Sequence, residues 1–126
     1  MIEKKIQIDE NVMSKEVLAF IQEAEKCIQL YAKKNHDYGN SFDKGMNDIG
    51  FAYGVGRIYD KCNRLVNLSN GKELACKDES IQDTLQDLAC YSLMTLSYIT
   101  RAFSAITPEC KEHYDSKENN SCGELG

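Results

Sequence analysis

The chain has 126 residues, of which 42% are hydrophobic and 28% charged, with one proline and no tryptophan. This composition is typical of an ordinary soluble globular protein of one domain, and the low proline count favours helices. The formal net charge of −5 argues against duplex nucleic acid as a partner, because binding to a phosphate backbone requires clustered Lys and Arg.

The cysteines and the start of the chain exclude further classes. The six cysteines contain no CxxC pair and there are two histidines, so a zinc site is not expected. The first ten residues are too polar for a signal peptide, and no apolar run is long enough to span a membrane. We therefore expect a cytoplasmic protein without disulfides and without a membrane partner.

The first third of the sequence predicts an arm, a helix and a loop. Residues 1–13 alternate isoleucine with polar residues and predict a short extended arm. Ser14 is a candidate N-cap, and apolar residues at helical spacing predict a first helix over about 15–35. Residues 36–50 are rich in Gly, Asn and Asp and predict a long loop, and loops of that length often carry function.

Two further long helices are predicted. The second covers about 50–69, and the third, capped by Asp78, runs to about residue 106. Residues 1–106 are thus expected to form one all-α domain, and residues 107–126 a polar, mobile tail. Because three long helices make half of a bundle, we expect the bundle to be completed by oligomerisation.

The third predicted helix carries a stripe of acids, Glu79, Asp83 and Asp87, four residues apart. The stripe lies opposite the apolar face, a pattern typical of a solvated helix surface. From residue 88 onward, however, the helix is apolar all round, which indicates that the stripe leads into a second interface. Carboxylates crowded there require cations, and Mg²⁺ is the natural candidate, so a wet face and a metal site both stay open.

The second predicted helix carries a row of cations, Arg57, Lys61 and Arg64, on one face. A solvated basic face and a phosphate site fit this row equally well. Arg can grip phosphate with two hydrogen bonds and Lys can act as a point charge.

The segment around Gly39 also has two interpretations. Gly39 is a candidate left-handed C-cap of the first helix. Alternatively, Lys34, Asp37, Tyr38 and Asn40 form a ligand clamp, in which Tyr38 stacks on a base and the polar groups read its edge.

Three segments, KNHDYGNSF (34–42), RIYDKCNRLVNL (57–68) and DESIQDTLQDLACYSLM (78–94), resemble a family of small phage and bacterial proteins. That family is described as nucleotide-modification-associated and is similar to MazG-like all-α nucleotide pyrophosphohydrolases. The resemblance implies a helical homodimer or homotetramer. It also implies Mg²⁺-dependent hydrolysis of the α–β phosphoanhydride of a (deoxy)nucleoside triphosphate, with release of pyrophosphate.

The resemblance assigns roles to the candidate residues. The implied catalytic acids and Mg²⁺ ligands are Glu79, Asp83 and Asp87, with Asp60 as a further metal ligand. For the substrate we keep the residues that the basic row and the segment around Gly39 offer, namely Lys34, Asp37, Tyr38, Asn40, Arg57, Lys61 and Arg64. The second helix has Asp60 and Asn63 where the family has paired glutamates, a departure that leaves enzymatic activity open. It motivates a second hypothesis, a non-catalytic protein that sequesters or senses a phosphorylated or cyclic nucleotide. A third hypothesis is a purely structural helical partner.

Overall fold

The computed structural model describes residues 3–71 and 80–104, and their regular structure is helical throughout. A short 3-10 helix at Glu10–Val12 precedes four α-helices. Their bounds are Lys15–Tyr38 for α1, Ser41–Ile49 for α2, Phe51–Ser69 for α3 and Ile81–Ser104 for α4. The described part of the chain contains no strand, which confirms the predicted all-α class. The predicted tail at 107–126 and the predicted cap Asp78 lie outside the described residues. Within those ranges no helix is long and apolar enough to cross a membrane.

The described residues fall into two compact units, one that ends at Gly39 and one that begins at Asn40. The first unit contains the arm and α1. The Oγ of Ser14 accepts a hydrogen bond from the Val17 N–H at 3.2 Å, so Ser14 is the N-cap. Gly39 ends α1 with φ 58° in the left-handed region, as the C-cap interpretation predicted. Glycine adopts this conformation with little strain because glycine has no Cβ.

The second unit contains α2, which the sequence had predicted to be a loop. That prediction is wrong, because residues 36–38 continue α1 and Ser41–Ile49 form a helix of their own. Phe42 and Met46 lie four residues apart and are both buried, so one face of this polar segment packs inward. The ring of Phe42 lies 5.5 Å from that of Tyr53 on α3. Tertiary packing of these two side chains outweighs the local turn preference of Gly, Asn and Asp.

Close contact between α3 and α4 forms the centre of the second unit. Gly54 is buried on α3, and a Cβ built there would lie 2.6 Å from Oγ1 of Thr95 on α4. The Thr95 hydroxyl donates to the Tyr91 carbonyl at 2.7 Å, so its polar atom is satisfied inside the interface. Glycine is therefore required for the two helices to approach this closely.

The apolar stripe that the sequence predicted as the core face of α4 is largely exposed. Leu85 and Leu96 are 49% and 58% exposed, whereas the buried residues of α4 are Thr84, Cys90 and Thr95. Helical periodicity shows which residues share a face, but the contacts with α3 decide which face lies inside. The expected homo-oligomer stays a prediction, which this exposed stripe supports because large apolar surfaces often mark interfaces.

A polar contact joins α2 to α4 at the far end of the unit. The Nη2 of Arg101 donates to Oδ1 of Asp43 at 2.9 Å, and its Nη1 pairs with the other carboxylate oxygen. Tyr98 donates from its hydroxyl to the side-chain oxygen of Asn47. The hydrogen bond from Arg101 holds the pKa of Asp43 below its ordinary value of 3.8.

The α3–α4 approach predicts opposite effects for two glycines of α3. Gly54→Ala should lower the free energy of unfolding by about 1–3 kcal/mol, because the new methyl group collides with Thr95 and Met46. Gly56→Ala is the control, since a Cβ there meets nothing within 4 Å and alanine favours a helix by about 1 kcal/mol. Urea denaturation measures both variants, and equal stabilisation by the two would contradict this packing.

The Asp43–Arg101 pair predicts a stability difference that depends on pH. Because the folded-state pKa of Asp43 is lowered, its contribution is fully present above the unfolded-state pKa and is lost as pH falls through the folded value. Asp43→Asn should therefore destabilise the protein at pH 7, and the difference from wild type should shrink below about pH 4. Urea denaturation at several pH values measures this. Asp48→Asn, at an exposed position of the same helix, is the control and should show no comparable pH-dependent difference.

Candidate anion-binding site

An open cavity of about 260 Å³ lies on the second unit, beside the α3–α4 contact. Its lining consists of Arg57, Asp60, Lys61 and Arg64 from α3 and Tyr91 from α4. The four α3 residues lie within two turns at helical spacing, so they share one face of the helix. The structure thus brings all three cations of the sequence-predicted basic row to one cavity.

Two of these cations contact side chains of α4. Lys61 Nζ lies 3.0 Å from Oδ2 of Asp87, with both side chains at most a quarter exposed. Arg64 donates from Nε to Oγ1 of Thr84 at 3.2 Å. Lys61 contacts Asp87, and Arg64, which comes later in α3, contacts Thr84, which comes earlier in α4. The two helices therefore run antiparallel, and one register of α3 against α4 produces both contacts.

The third cation, Arg57, is held by its own helix. Its Nη2 donates to the Tyr53 hydroxyl at 3.4 Å, and its guanidinium carbon lies 5.2 Å from the centre of that ring. The hydrogen bond to Tyr53 raises the pKa of Arg57 above its ordinary value, and the nearby Tyr91 and Asp60 act in the same direction. Arg57 therefore carries a fixed positive charge at the cavity.

The charges in the cavity favour an anion. Among the described residues, its lining has three cations and one carboxylate, Asp60. Arg57 and Arg64 are seven residues apart, which places them roughly 10 Å apart along the axis of α3. Arg and Lys are the side chains that bind phosphate in proteins, Arg through a planar fork and Lys through a point charge.

Two members of the predicted acid stripe, Asp83 and Asp87, lie in the described residues, and they have different partners. Glu79 lies outside the described residues. Asp83 takes part in capping the start of α4. Its Oδ2 accepts a hydrogen bond from the Ser80 N–H at 3.2 Å and a second from the Ser80 hydroxyl at 3.0 Å. These two hydrogen bonds lower the pKa of Asp83. The Asp83 N–H donates back to the Ser80 hydroxyl, which is the reciprocal arrangement of a capping box.

The contacts of the described acids can be compared with what the expected Mg²⁺ site needs. Within residues 3–71 and 80–104, no three His, Cys, Asp or Glu side chains come together. Asp83 is engaged by Ser80 and Asp87 by Lys61, so each would have to leave that partner to share a Mg²⁺. The catalytic and metal roles of Glu79, Asp83, Asp87 and Asp60 stay predictions.

The predicted base-binding residues lie on both sides of the boundary between the units. Lys34, Asp37 and Tyr38 belong to the last two turns of α1, and all three are exposed. Asn40 is the N-cap of α2 with φ 59°, and it lies outside the lining of the cavity. Their role as contacts to a base stays a prediction.

Sequence reasoning did not identify Thr84 or Tyr91 as site residues. The available signal was spacing, because Thr84, Asp87 and Tyr91 follow one another at three and four residues and so share a face of α4. Threonine is common on solvated helix surfaces, so the residue type of Thr84 did not by itself indicate a site residue. Its contact with Arg64, twenty positions earlier in the chain, is visible only in the folded structure.

Comparison with known proteins gives one match. No curated protein and no solved structure matches the chain. A family model described as nucleotide modification associated domain 1 matches residues 34–99, just over half of the chain. The matched range includes the described residues that line the cavity. The chain therefore belongs to the family of the nucleotide modification associated domain 1.

Proposed function

We propose that this protein binds the phosphate groups of a nucleotide in the cavity lined by α3. The observation that carries the proposal is the convergence of Arg57, Lys61 and Arg64 on one open cavity in a chain of net charge −5. The description of its family, which refers to nucleotide modification, supports a nucleotide as the source of the phosphate.

The shape of the cation row supports a ligand with more than one phosphate. Arg57 is held by Tyr53, one turn earlier on α3, and Arg64 by Thr84 of α4, so the two guanidinium groups are anchored at separate points of a row roughly 10 Å long. A chain of phosphates laid along α3 meets Arg57, Lys61 and Arg64 in turn. The ring of Tyr91, on the α4 side of the cavity, offers an apolar surface for the sugar or the base.

Asp87 offsets part of the positive charge of the cation row. Three cations on one helix face repel one another, and the Lys61–Asp87 pair reduces this repulsion. The pair is only partly exposed, so it is screened less by salt than a surface ion pair. A phosphate that enters the cavity competes with Asp87 for Lys61, and binding becomes an exchange of one anionic partner for another.

A second candidate function is the Mg²⁺-dependent nucleotide pyrophosphohydrolase that the resemblance to MazG-like enzymes implies. The observation that favours it is Asp60, a carboxylate in the lining of the cavity beside the cations. A carboxylate in that place can orient or deprotonate a water molecule next to a bound phosphate. In the described residues Asp83 and Asp87 are engaged by Ser80 and Lys61, whereas the three cations line the cavity together, and binding without hydrolysis is therefore our first proposal.

We expect wild-type protein to retain an intact nucleotide. Mass spectrometry of bound and free fractions, after incubation with ribo-, deoxy-, modified and cyclic nucleotides with and without Mg²⁺, measures retention and cleavage together. Lys61→Gln should weaken retention roughly tenfold or more, because a charge-assisted hydrogen bond to phosphate is lost. Lys44→Gln removes the same charge at an exposed position of α2 and should leave retention unchanged. If wild type retains no nucleotide, the binding proposal is wrong.

Asp87→Asn separates the two candidate functions. Under the binding proposal it should keep or increase nucleotide retention, because the neutral amide no longer competes for Lys61. Under the hydrolase candidate, in which Asp87 is a metal ligand, pyrophosphate release should be lost. Release that needs Mg²⁺ in wild type and disappears in this variant would favour the enzyme over the binding protein.

A further inference from the structure

We infer that Thr84 is a positioning residue of the anion site, whose hydroxyl directs the guanidinium of Arg64 into the cavity for a phosphate ligand. This inference rests on the proposed function and adds to it a residue of α4 that does not line the cavity. Thr84 is 0% exposed, so it acts through Arg64 and not through contact with the ligand.

The hydrogen bonds of Thr84 give the inference its geometry. Its hydroxyl donates to the Ser80 carbonyl, one turn earlier on the same chain, at 3.0 Å. Because a hydroxyl has one hydrogen, Oγ1 can meet the Arg64 Nε–H only as an acceptor, at 3.2 Å. A backbone carbonyl at the start of α4 thereby fixes the direction of the hydroxyl, and the hydroxyl fixes one edge of the guanidinium.

Anchoring at Nε matters for the binding of phosphate. The guanidinium is planar and rigid, so a hydrogen bond to Nε orients the plane that carries both Nη groups. Arg64 lines the cavity, and an oriented plane can grip phosphate through two parallel hydrogen bonds. A side chain that is ordered before binding loses less conformational entropy when the ligand arrives, and the affinity rises accordingly.

Thr95 provides a matched comparison on the same helix. It is also buried, at 5% exposed, and its hydroxyl also donates to a carbonyl one turn earlier, that of Tyr91 at 2.7 Å. Its neighbour on α3 is Gly54 and not a cation. The two threonines therefore share residue type, burial and the bond to the backbone, and differ in the arginine contact.

Calorimetric titration of the full chain with inorganic tripolyphosphate tests the inference. Thr84→Val keeps the shape but removes the acceptor, and it should weaken binding roughly five- to tenfold. Thr84→Ser retains the hydroxyl and should bind within about twofold of wild type. Thr95→Val should also keep wild-type affinity, although it loses the same kind of backbone bond. If Thr84→Val binds as tightly as wild type, or if Thr95→Val weakens binding equally, the inference is overturned.

A double-mutant cycle shows whether Thr84 acts through Arg64. In an Arg64→Ala background, Thr84→Val should change affinity by less than about twofold, because its partner is already absent. An unchanged five- to tenfold loss in that background would overturn the inference. If Thr84→Val does not fold, the affinity of Arg64→Lys is measured in its place. Lysine keeps the charge without the planar fork and should weaken binding as Thr84→Val is expected to, whereas wild-type affinity would overturn the inference.

The result for wild type distinguishes a failure of the phosphate-binding proposal from a failure of the role of Thr84. If wild-type protein does not bind tripolyphosphate, the phosphate-binding proposal fails and the role of Thr84 fails with it. If wild type binds and Lys61→Gln weakens binding while Thr84→Val does not, only the role of Thr84 fails.

Discussion

The contact between Gly54 and Thr95 is the constraint on which the rest of the second unit depends. Without a Cβ on Gly54, the side chain of Thr95 lies directly against the backbone of α3. This close approach fixes the antiparallel register that places Lys61 beside Asp87 and Arg64 beside Thr84. Because each residue turns a helix by about 100°, a slip of one position would separate these pairs.

The interface between α3 and α4 is unusually polar for its position. Hydroxyl groups and an ion pair occupy the contact, while large apolar side chains of α4 such as Leu85 and Leu96 are about half exposed. Buried polar pairs add little to stability, because the cost of removing them from water offsets their attraction. They do fix geometry, since hydrogen bonds are directional. These hydrogen bonds therefore define the arrangement of charges along α3.

The acids of α4 serve this arrangement in two different ways. Asp83 exchanges hydrogen bonds with Ser80 and so fixes where the helix begins. Ser80 is also the acceptor for Thr84, so the start of α4 and the contact with Arg64 share one residue. Asp87 forms an ion pair with Lys61 of α3. The matched family range, residues 34–99, contains the whole of this network.

The sequence by itself determined the local features of this protein. Ser14 predicted the start of α1, and Gly39 was a candidate for its C-cap, although the helix runs three residues beyond the predicted end at about 35. The spacing of Arg57, Lys61 and Arg64 placed them on one face, because such properties arise within a single helix. Tertiary structure decided the rest. The helix α2 exists because Phe42 is buried against α3, and the inner face of α4 is the one that carries Thr84 and Asp87. Periodicity states which side chains point the same way, but only packing against a neighbour decides which of them are covered.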